Sequence, residues 1–457
     1  MVERLRGLDA MYLYLESPSQ PLNICCVIRL DIGSRRDTDF FAEFRADVIE
    51  RVQRVPELRQ RVADGRLNLG HPVWVEDDDF DAGRHLHRVG VPSPGGREDC
   101  ARLLAHIASL PLDRRHPLWE VWILENPATP DVLDLVFKAH HAVVDGVGGV
   151  NIMAQLCTTE PDTAIPQGGA AARPPSSLEI VASGFLGAAR RPIQLSRILP
   201  ATLLTALGTA ARARQGKVMA PPFAAPPTVF NRPYSQRRSV AFASMDLDVI
   251  KAVKRQHEVT VNDVVMAVCA GALRTFLADR RELPESPLVA AIPVSIQGMS
   301  DRPGRNQTSY MFCRLPTPVT DPVDRLAAVV ETVAAAKDHT SAVGPTLLHD
   351  WSDLLGQSAM SAIRQLVGAI PAPANPPFNL ILSNVPGPQQ PLYLAGLEIL
   401  SVTPLGPILI NAGLNVTVMS YNGRLQVGLV SSPDLGVDLW QLVDEFPHAL
   451  AELAAIS

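Results

Sequence analysis

The residues whose types and spacing suit proton chemistry are two adjacent histidines followed by an aspartate and a glycine, His140-His141-Ala-Val-Val-Asp145-Gly146. Imidazole titrates near neutrality, with an unperturbed pKa of about 6.5, so one of the pair suits removal of a proton at pH 7. Apolar residues lead in (Leu133, Leu135, Val136, Phe137) and glycines follow (Gly146, Gly148, Gly149), the pattern of a strand running into a tight turn. Neighbouring strand residues point to opposite faces. The two histidines therefore take different roles, one facing a cleft and the other packing or bonding inside. The same alternation makes a metal site from His140, His141 and Asp145 poor geometry. Asp145 either orients the imidazole or pairs with a basic residue to hold the turn. The second is the expectation, because a buried carboxylate needs a partner. A purely structural turn is the remaining reading.

Other chemistries lack their residues. There is no G-x-S-x-G nucleophile, no phosphate-binding glycine loop and no dinucleotide fingerprint. The six cysteines (Cys25, Cys26, Cys100, Cys157, Cys269, Cys313) show neither metal-ligand spacing nor a histidine partner in sequence, and several lie in apolar runs. They read as buried, reduced thiols of a cytoplasmic protein. A net charge of −6 argues against a nucleic-acid partner. The first residues, Met-Val-Glu-Arg-Leu-Arg, carry no apolar signal core. No uncharged apolar run reaches the roughly 18–20 residues that a membrane span needs.

The elements that must position the histidines follow from periodicity. At 457 residues the chain is long enough for two domains. A short helix over 3–16 precedes a strand over Leu22–Leu30. Phe41, Phe44, Val48, Val52 and Val55 mark one face of a helix over 38–55. Trp119–Leu124 and Val132–His141 read as a hairpin, with a helix starting over Val150–Leu156. After Ser239 come a strand over Val240–Leu247 and a helix that Thr260 caps, with Asp263 in its first turn where a negative charge suits the dipole. Strands follow over Leu288–Val294, 306–315 and Leu380–Val385, with helices over Pro322–Lys337 and 345–367 between them. A hairpin turns at Asn422-Gly423, and a last helix covers Leu439–Ala455. The expected division is 1–160, a connector over 161–238, and 239–457.

The connector is unusual in charge. From 180 to 245 there is no acidic residue, so this stretch carries a net +9 and the rest of the chain −15. Its middle, from Ile198 to Leu207, is apolar. Basic ends around an apolar helix suit an anionic lipid surface. The plainer reading is a connecting helix packed across both domains.

His140-His141-Ala-Val-Val-Asp145-Gly146 matches the HHxxxDG motif of the CoA-dependent acyltransferase superfamily, which includes chloramphenicol acetyltransferase and peptide-synthetase condensation domains. Further stretches narrow the match: Leu8-Asp-Ala, Pro117-Leu118-Trp119-Glu120, Thr260-Val-Asn262-Asp263, Pro293-Val-Ser295, Ser383-Asn384-Val-Pro-Gly-Pro388 and Leu414-Asn-Val-Thr-Val-Met-Ser-Tyr421. In this order they resemble the bacterial wax ester synthase/diacylglycerol acyltransferase family. The resemblance implies an α/β fold of two similar chloramphenicol-acetyltransferase-like domains, with mixed sheets flanked by helices and an active-site tunnel between them. It implies acyl-CoA as a substrate, no cofactor, and diacylglycerol or a long-chain alcohol as acceptor, giving triacylglycerol or wax ester. It implies His141 as general base, with His140, Asp145 and Gly146 shaping the turn. Pro117, Leu118, Trp119, Asn262 and Asp263 would support the tunnel, and Ser383 and Asn384 would form a structural turn or, alternatively, donate to the oxyanion. A lipid substrate further implies a peripheral membrane or lipid-droplet surface, reached through 180–245. Another acceptor, such as a polyketide hydroxyl, and a dormant lipid-binding homologue are the competing readings.

Overall fold

In a computed structural model the chain is described over residues 3–33, 40–64, 70–144, 146–161, 177–213, 219–221, 223–295, 308–343, 347–356, 359–360, 362 and 375–456. Its first part runs α1 (Gly7–Leu15), β1 (Asn23–Asp31), α2 (Phe40–Gln53), β2 (Gln60–Ala63), β3 (Val73–Glu76), β4 (Leu86–Gly90), α3 (Arg97–Ser109), β5 (Trp119–Glu125), β6 (Val132–His140) and α4 (Gly146–Leu156). A long helix, α5 (Ser177–Ala213), follows. The second part runs β7 (Ser239–Asp246), α6 (Leu247–Gln256), α7 (Val261–Asp279), β8 (Leu288–Ser295), β9 (Thr308–Leu315), α8 (Pro322–Val343) and α9 (Leu347–Leu354). It closes with β10 (Leu380–Val385), β11 (Tyr393–Leu394), β12 (Leu397–Leu405), β13 (Leu414–Tyr421), β14 (Arg424–Ser431) and α10 (Leu439–Ala455).

Two six-stranded mixed sheets carry the fold, in the orders β11-β12-β1-β6-β5-β4 and β7-β14-β13-β10-β8-β9. β1 lies antiparallel to both β12 and β6, whereas β4 and β5 run parallel. In the second sheet β10 runs parallel to both β13 and β8. Strands β11 and β12 come from the segment expected at 239–457, yet they complete the first sheet. β12 can do so because β1 offers it an open edge, pairing Cys25 with Leu405 and Ile28 with Val402. Residues 406–413 then lead from β12 directly into β13, a central strand of the second sheet.

The helices bury apolar faces against these sheets. Phe44, Val48 and Val52 of α2 share a buried core with Ile123, Leu133 and Leu135 of the first sheet. Helix α7 lies in the second core with Phe276 and Leu273 buried against Val416, Leu429 and Phe446. It is long and apolar enough to cross a membrane, but most of its apolar stretch is buried inside the protein. Helix α3 joins the two halves: Leu104 and Ile107 share a core with Val136 of β6 and with Val240 and Val430 of the second sheet.

Local sequence rules hold where the chain meets these helices. Thr260 and Asp263 form a reciprocal capping box: the Asp263 N–H donates to Thr260 Oγ1 at 3.2 Å, and Asp263 Oδ2 accepts the Thr260 N–H at 2.9 Å. Asn422 and Gly423 both adopt positive φ, as a type I′ turn between β13 and β14 requires. Gly7 is needed for a close approach: a Cβ there would lie 2.0 Å from the Ser352 backbone. Its N–H donates to Asp353 Oδ1 at 2.6 Å, docking α1 on α9. Because the Asp263 carboxylate serves the helix start, Asp263→Ala is expected to lower unfolding free energy by about 1 kcal/mol. Denaturant melts of the two proteins measure it, and equal midpoints would show that the box contributes nothing.

Candidate active site

Strand β6 decides where both histidines go. Its register pairs Ala139 with Trp119 on one side and Ile24 on the other, and Phe137 with Val121 and Cys26. Leu135, Phe137 and His141 fall on one face of the first sheet and line a cavity of about 320 Å³. Val136, Lys138 and His140 fall on the opposite face. His140 is 1% exposed and His141 is half-buried.

The His141 ring is held flat. It stacks on Tyr12 of α1 with centroids 4.1 Å apart and planes 12° apart. Its backbone N–H donates to the Leu22 carbonyl at 2.9 Å. The Tyr12 hydroxyl lies 2.8 Å from the Tyr310 hydroxyl on β9, so the second half of the chain helps to set the ring's support. Neither tyrosine carries a local pattern that announces this in the sequence.

His140 is oriented from behind. The Ala142 N–H donates to its Nδ1 at 3.0 Å, so that nitrogen is unprotonated and Nε2 carries the hydrogen. Nε2 faces Glu16 Oε1 at 3.5 Å, close enough for an electrostatic contact but without a hydrogen bond. Glu16 is also paired with Arg114, whose Nη2 sits 2.6 Å away. Burial pushes the Glu16 carboxyl up, but His140 and then Arg114 outweigh it and hold its pKa down to about 2. On the same hidden face Lys138, fully buried, sits 3.2 Å from Glu120 Oε2, and Asp134 pairs with Arg29 at 2.8 Å. Titratable groups on this face of β6 are thus each matched to a partner.

The remaining motif residues divide by position. Gly146 opens α4 in the cavity wall, where a Cβ would lie 2.9 Å from Val385. Asp145 lies outside the described residues. Leu118 and Trp119 are buried behind the site. The Leu118 carbonyl accepts the His140 N–H at 2.9 Å, Trp119 Nε1 donates to the Leu58 carbonyl at 2.7 Å, and Trp119 stacks on His85 at 4.3 Å. The Pro117 carbonyl accepts the Trp119 N–H at 2.9 Å. Ser383 and Asn384 of β10 line the cavity. Asn384 Nδ2 donates to Asn262 Oδ1 at 3.3 Å, which ties the start of α7 to the cavity wall. Asp263 is confined to the capping box. The Ser383 hydroxyl makes no hydrogen bond among the described residues.

The cavity has two unlike walls. Ile24, Ile28, Leu135 and Phe137 of the first sheet face Val52 of α2 and Met153 of α4 across an apolar arm. Gly146, Gly149, Val150, Met153 and Leu156 line it from one stripe of α4, at the i, i+3, i+4, i+7 spacing of a helix face. The eleven residues of α4 carry this stripe roughly 16 Å away from the histidine turn. Arg51 lines the cavity beside the last turn of α4, with Nη1 donating to the Leu156 carbonyl at 2.8 Å and a salt bridge to Asp47. The second half contributes a polar wall: Ser295, Tyr310, Ser383, Asn384, Asn415 and Thr417. Burial pushes the Cys26 and Cys157 thiols in this cavity up to about 12, which leaves them poor nucleophiles.

Comparison with known proteins agrees with this arrangement. Residues 5–265 match the wax ester synthase/diacylglycerol acyltransferase catalytic domain, and residues 305–454 match the WS/DGAT C-terminal domain. A protein of Mycobacterium tuberculosis H37Rv named as a diacylglycerol O-acyltransferase is 50% identical over 456 residues, which covers 100% of this chain and 91% of that one. A second from the same strain, also so named, is 31% identical over 97% of each chain. Among solved structures, the wax ester synthase/diacylglycerol acyltransferase of Marinobacter aquaeolei VT8 superposes with a TM-score of 0.71 at 26% identity over 99% of both chains. The starter condensation domain of rhizomide synthetase in complex with C8-CoA and Leu-SNAC shares the fold, with a TM-score of 0.55 at 15% identity over 99% of this chain and 94% of that one. With its two motif-bearing halves, its mixed sheets and a histidine in the cavity between them, the chain belongs to the wax ester synthase/diacylglycerol acyltransferase family and is an acyltransferase of that family.

Proposed function

We propose that this protein moves a long acyl group from CoA to the hydroxyl of a diacylglycerol or long-chain alcohol, with His141 as the general base. The observation that carries this reading is the position of His141 where the apolar arm meets the polar wall of one cavity. An alkyl chain lying along α4 has roughly 16 Å of apolar wall. That suits a fatty acyl chain and leaves its thioester beside the imidazole.

The reaction follows from this placement. His141 takes the proton of the acceptor hydroxyl as the oxygen bonds to the thioester carbonyl carbon. The tetrahedral intermediate carries its negative charge on the former carbonyl oxygen. Ser383 is the better donor to it, since its hydroxyl has no partner among the described residues, whereas one Asn384 N–H already goes to Asn262. Collapse breaks the carbon–sulfur bond, and the proton held by His141 passes to the departing thiolate, giving ester and free CoA. Such base catalysis contributes on the order of 10²–10⁴ in rate, and positioning in the cavity supplies much of the rest. No cofactor enters this sequence. Glu16 and Arg114 act one residue removed, by fixing His140 and with it the strand end that aims His141.

Helix α5 supports a lipid surface as the place of work. Leu178, Phe185, Leu186, Ile193, Leu203 and Leu204 are each more than half exposed along it. Arg190 and Arg197 are exposed on the same helix. An apolar stripe with arginines beside it suits a peripheral, cytoplasmic-side contact with anionic lipid. The helix is anchored at its start, where Arg4 donates to the Ser183 hydroxyl at 2.7 Å and to the Ile180 carbonyl at 3.2 Å.

Four measurements test these assignments. Purified protein given labelled palmitoyl-CoA with diacylglycerol or hexadecanol is expected to form ester, and His141→Ala to abolish it; ester that persists in the variant would falsify the base. Neutralising Arg190, Arg191 and Arg197 together is expected to weaken binding to anionic vesicles severalfold without changing turnover of a soluble short-chain alcohol; unchanged vesicle binding sinks the surface assignment. Glu16→Gln is expected to cut kcat about tenfold with little change in KM. A carboxyl held near 2 stabilises the folded state fully above its unfolded value of about 4.5 and loses that contribution as pH falls toward 2. The stability gap between wild type and Glu16→Gln should therefore be constant at pH 6–8 and shrink below about pH 4.5. A gap independent of pH throughout that range would contradict the charged state assigned to Glu16.

A further inference from the structure

Asn415 and Thr417 sit in the polar wall with their hydrogen-bond polarity fixed. Both point from β13 into the cavity and are 2% and 6% exposed. Asn415 Nδ2 donates to the Pro407 carbonyl at 2.8 Å, which has only lone pairs to offer. Asn415 Oδ1 therefore faces Thr417, and the Thr417 hydroxyl donates to it at 2.6 Å. The hydroxyl hydrogen is thus spent inside the wall. What Thr417 Oγ1 still presents to the cavity is acceptor capacity. Gly406 is required beside this pair, since a Cβ there would fall 2.6–2.8 Å from Asn415 and Thr417. Its parallel neighbour across the sheet is Ser383, in direct register with Thr417. Among the described residues nothing accepts from the Ser383 hydroxyl. Adjacent strands lie about 4.8 Å apart, so the wall sets a donor and an acceptor side by side at that spacing.

We propose that Thr417, held by Asn415 and Pro407, accepts the pantetheine amide N–H nearest the thioester while Ser383 faces the thioester oxygen. The assignment rests on the acyl-CoA reaction above and names the part of that substrate which the second sheet reads. A diacylglycerol or simple long-chain alcohol has a single donor, and His141 takes it. The pantetheine arm has an N–H separated from its sulfur by two methylenes, a three-bond span of about 3.5 Å. The thioester oxygen lies two bonds beyond the sulfur, so N–H and oxygen are five bonds apart, a span of roughly 4–6 Å that takes in the strand spacing. An acceptor-only group in a buried wall rewards such a donor and penalises a ligand without one. Thr417 is therefore a positioning residue for the thioester rather than part of the proton transfer.

The test uses three donors of one acyl chain with hexadecanol as acceptor: palmitoyl-CoA, the palmitoyl N-acetylcysteamine thioester, which keeps the first amide, and the palmitoyl S-ethyl thioester, which has none. Thr417→Val is expected to lose about tenfold in kcat/KM with the first two and to match wild type with the third. Thr417→Ser should recover most of the loss, which separates the hydroxyl's role from folding. An equal loss with the S-ethyl thioester, or no loss with palmitoyl-CoA, overturns the proposal. So does a loss seen only when the acceptor is a monoacylglycerol, whose second hydroxyl would then be what Thr417 reads. Wild-type protein that turns over none of the three thioesters would instead refute the acyltransfer reading beneath it.

Discussion

The whole site depends on the two-residue period of a β-strand. His140 and His141 are neighbours in sequence, and the pleat sends them to opposite sides of the first sheet. One face of β6 can then be apolar and open to a cavity, while the other carries paired charges, Arg29 with Asp134 and Glu120 with Lys138, and the neutral His140 ring beside Glu16. A shift of one residue in the β1–β6 register would exchange the two faces, burying His141 among carboxylates and turning His140 toward the cavity. The register is pinned on both sides, by β1 and by β5, and the strand end is fixed by backbone bonds from both histidines to Leu118 and Leu22.

The cavity is asymmetric for a related reason. The first sheet and helices α2 and α4 face it with aliphatic side chains, whereas β8, β9, β10 and β13 face it with hydroxyls and amides. A long hydrocarbon and a polar carrier have opposite solvation demands, and under the proposed function each would meet one wall that suits it. The histidine stands at the seam, supported by a tyrosine from each half.

Much of this could be read from the chain itself. The strand-turn histidines, the Thr260 cap with Asp263, the Asn422-Gly423 turn and the limits of the last helix, Leu439–Ala455, are all local, and local rules located them. Glu16 was not legible, because it follows a short helix near the start and meets His140 only through the sheet. Arg114 and Tyr310 were hidden in the same way. Strand β12 was missed for a different reason: Pro404 near its end argues against a strand in sequence, and its pairing edge on β1 lies far away along the chain. The polarity of the Asn415–Thr417 pair depends on one carbonyl, Pro407, whose direction no pattern predicts. The motif residues Pro117 to Trp119 resemble tunnel wall in sequence, and in space they brace the histidine strand from behind.

The passage of β12 into β13 through residues 406–413 bears on how substrates reach the imidazole. The first sheet owes one edge to the second half of the chain, and the loop that leaves that edge becomes part of the cavity wall. Because β12 stays in the first sheet and β13 in the second, residues 406–413 tie the halves together beside the cavity and limit how far they can part. The protein is stitched shut across its own active site. Loops and side chains around the cavity, rather than a wide separation of the halves, are then left to admit what the site takes.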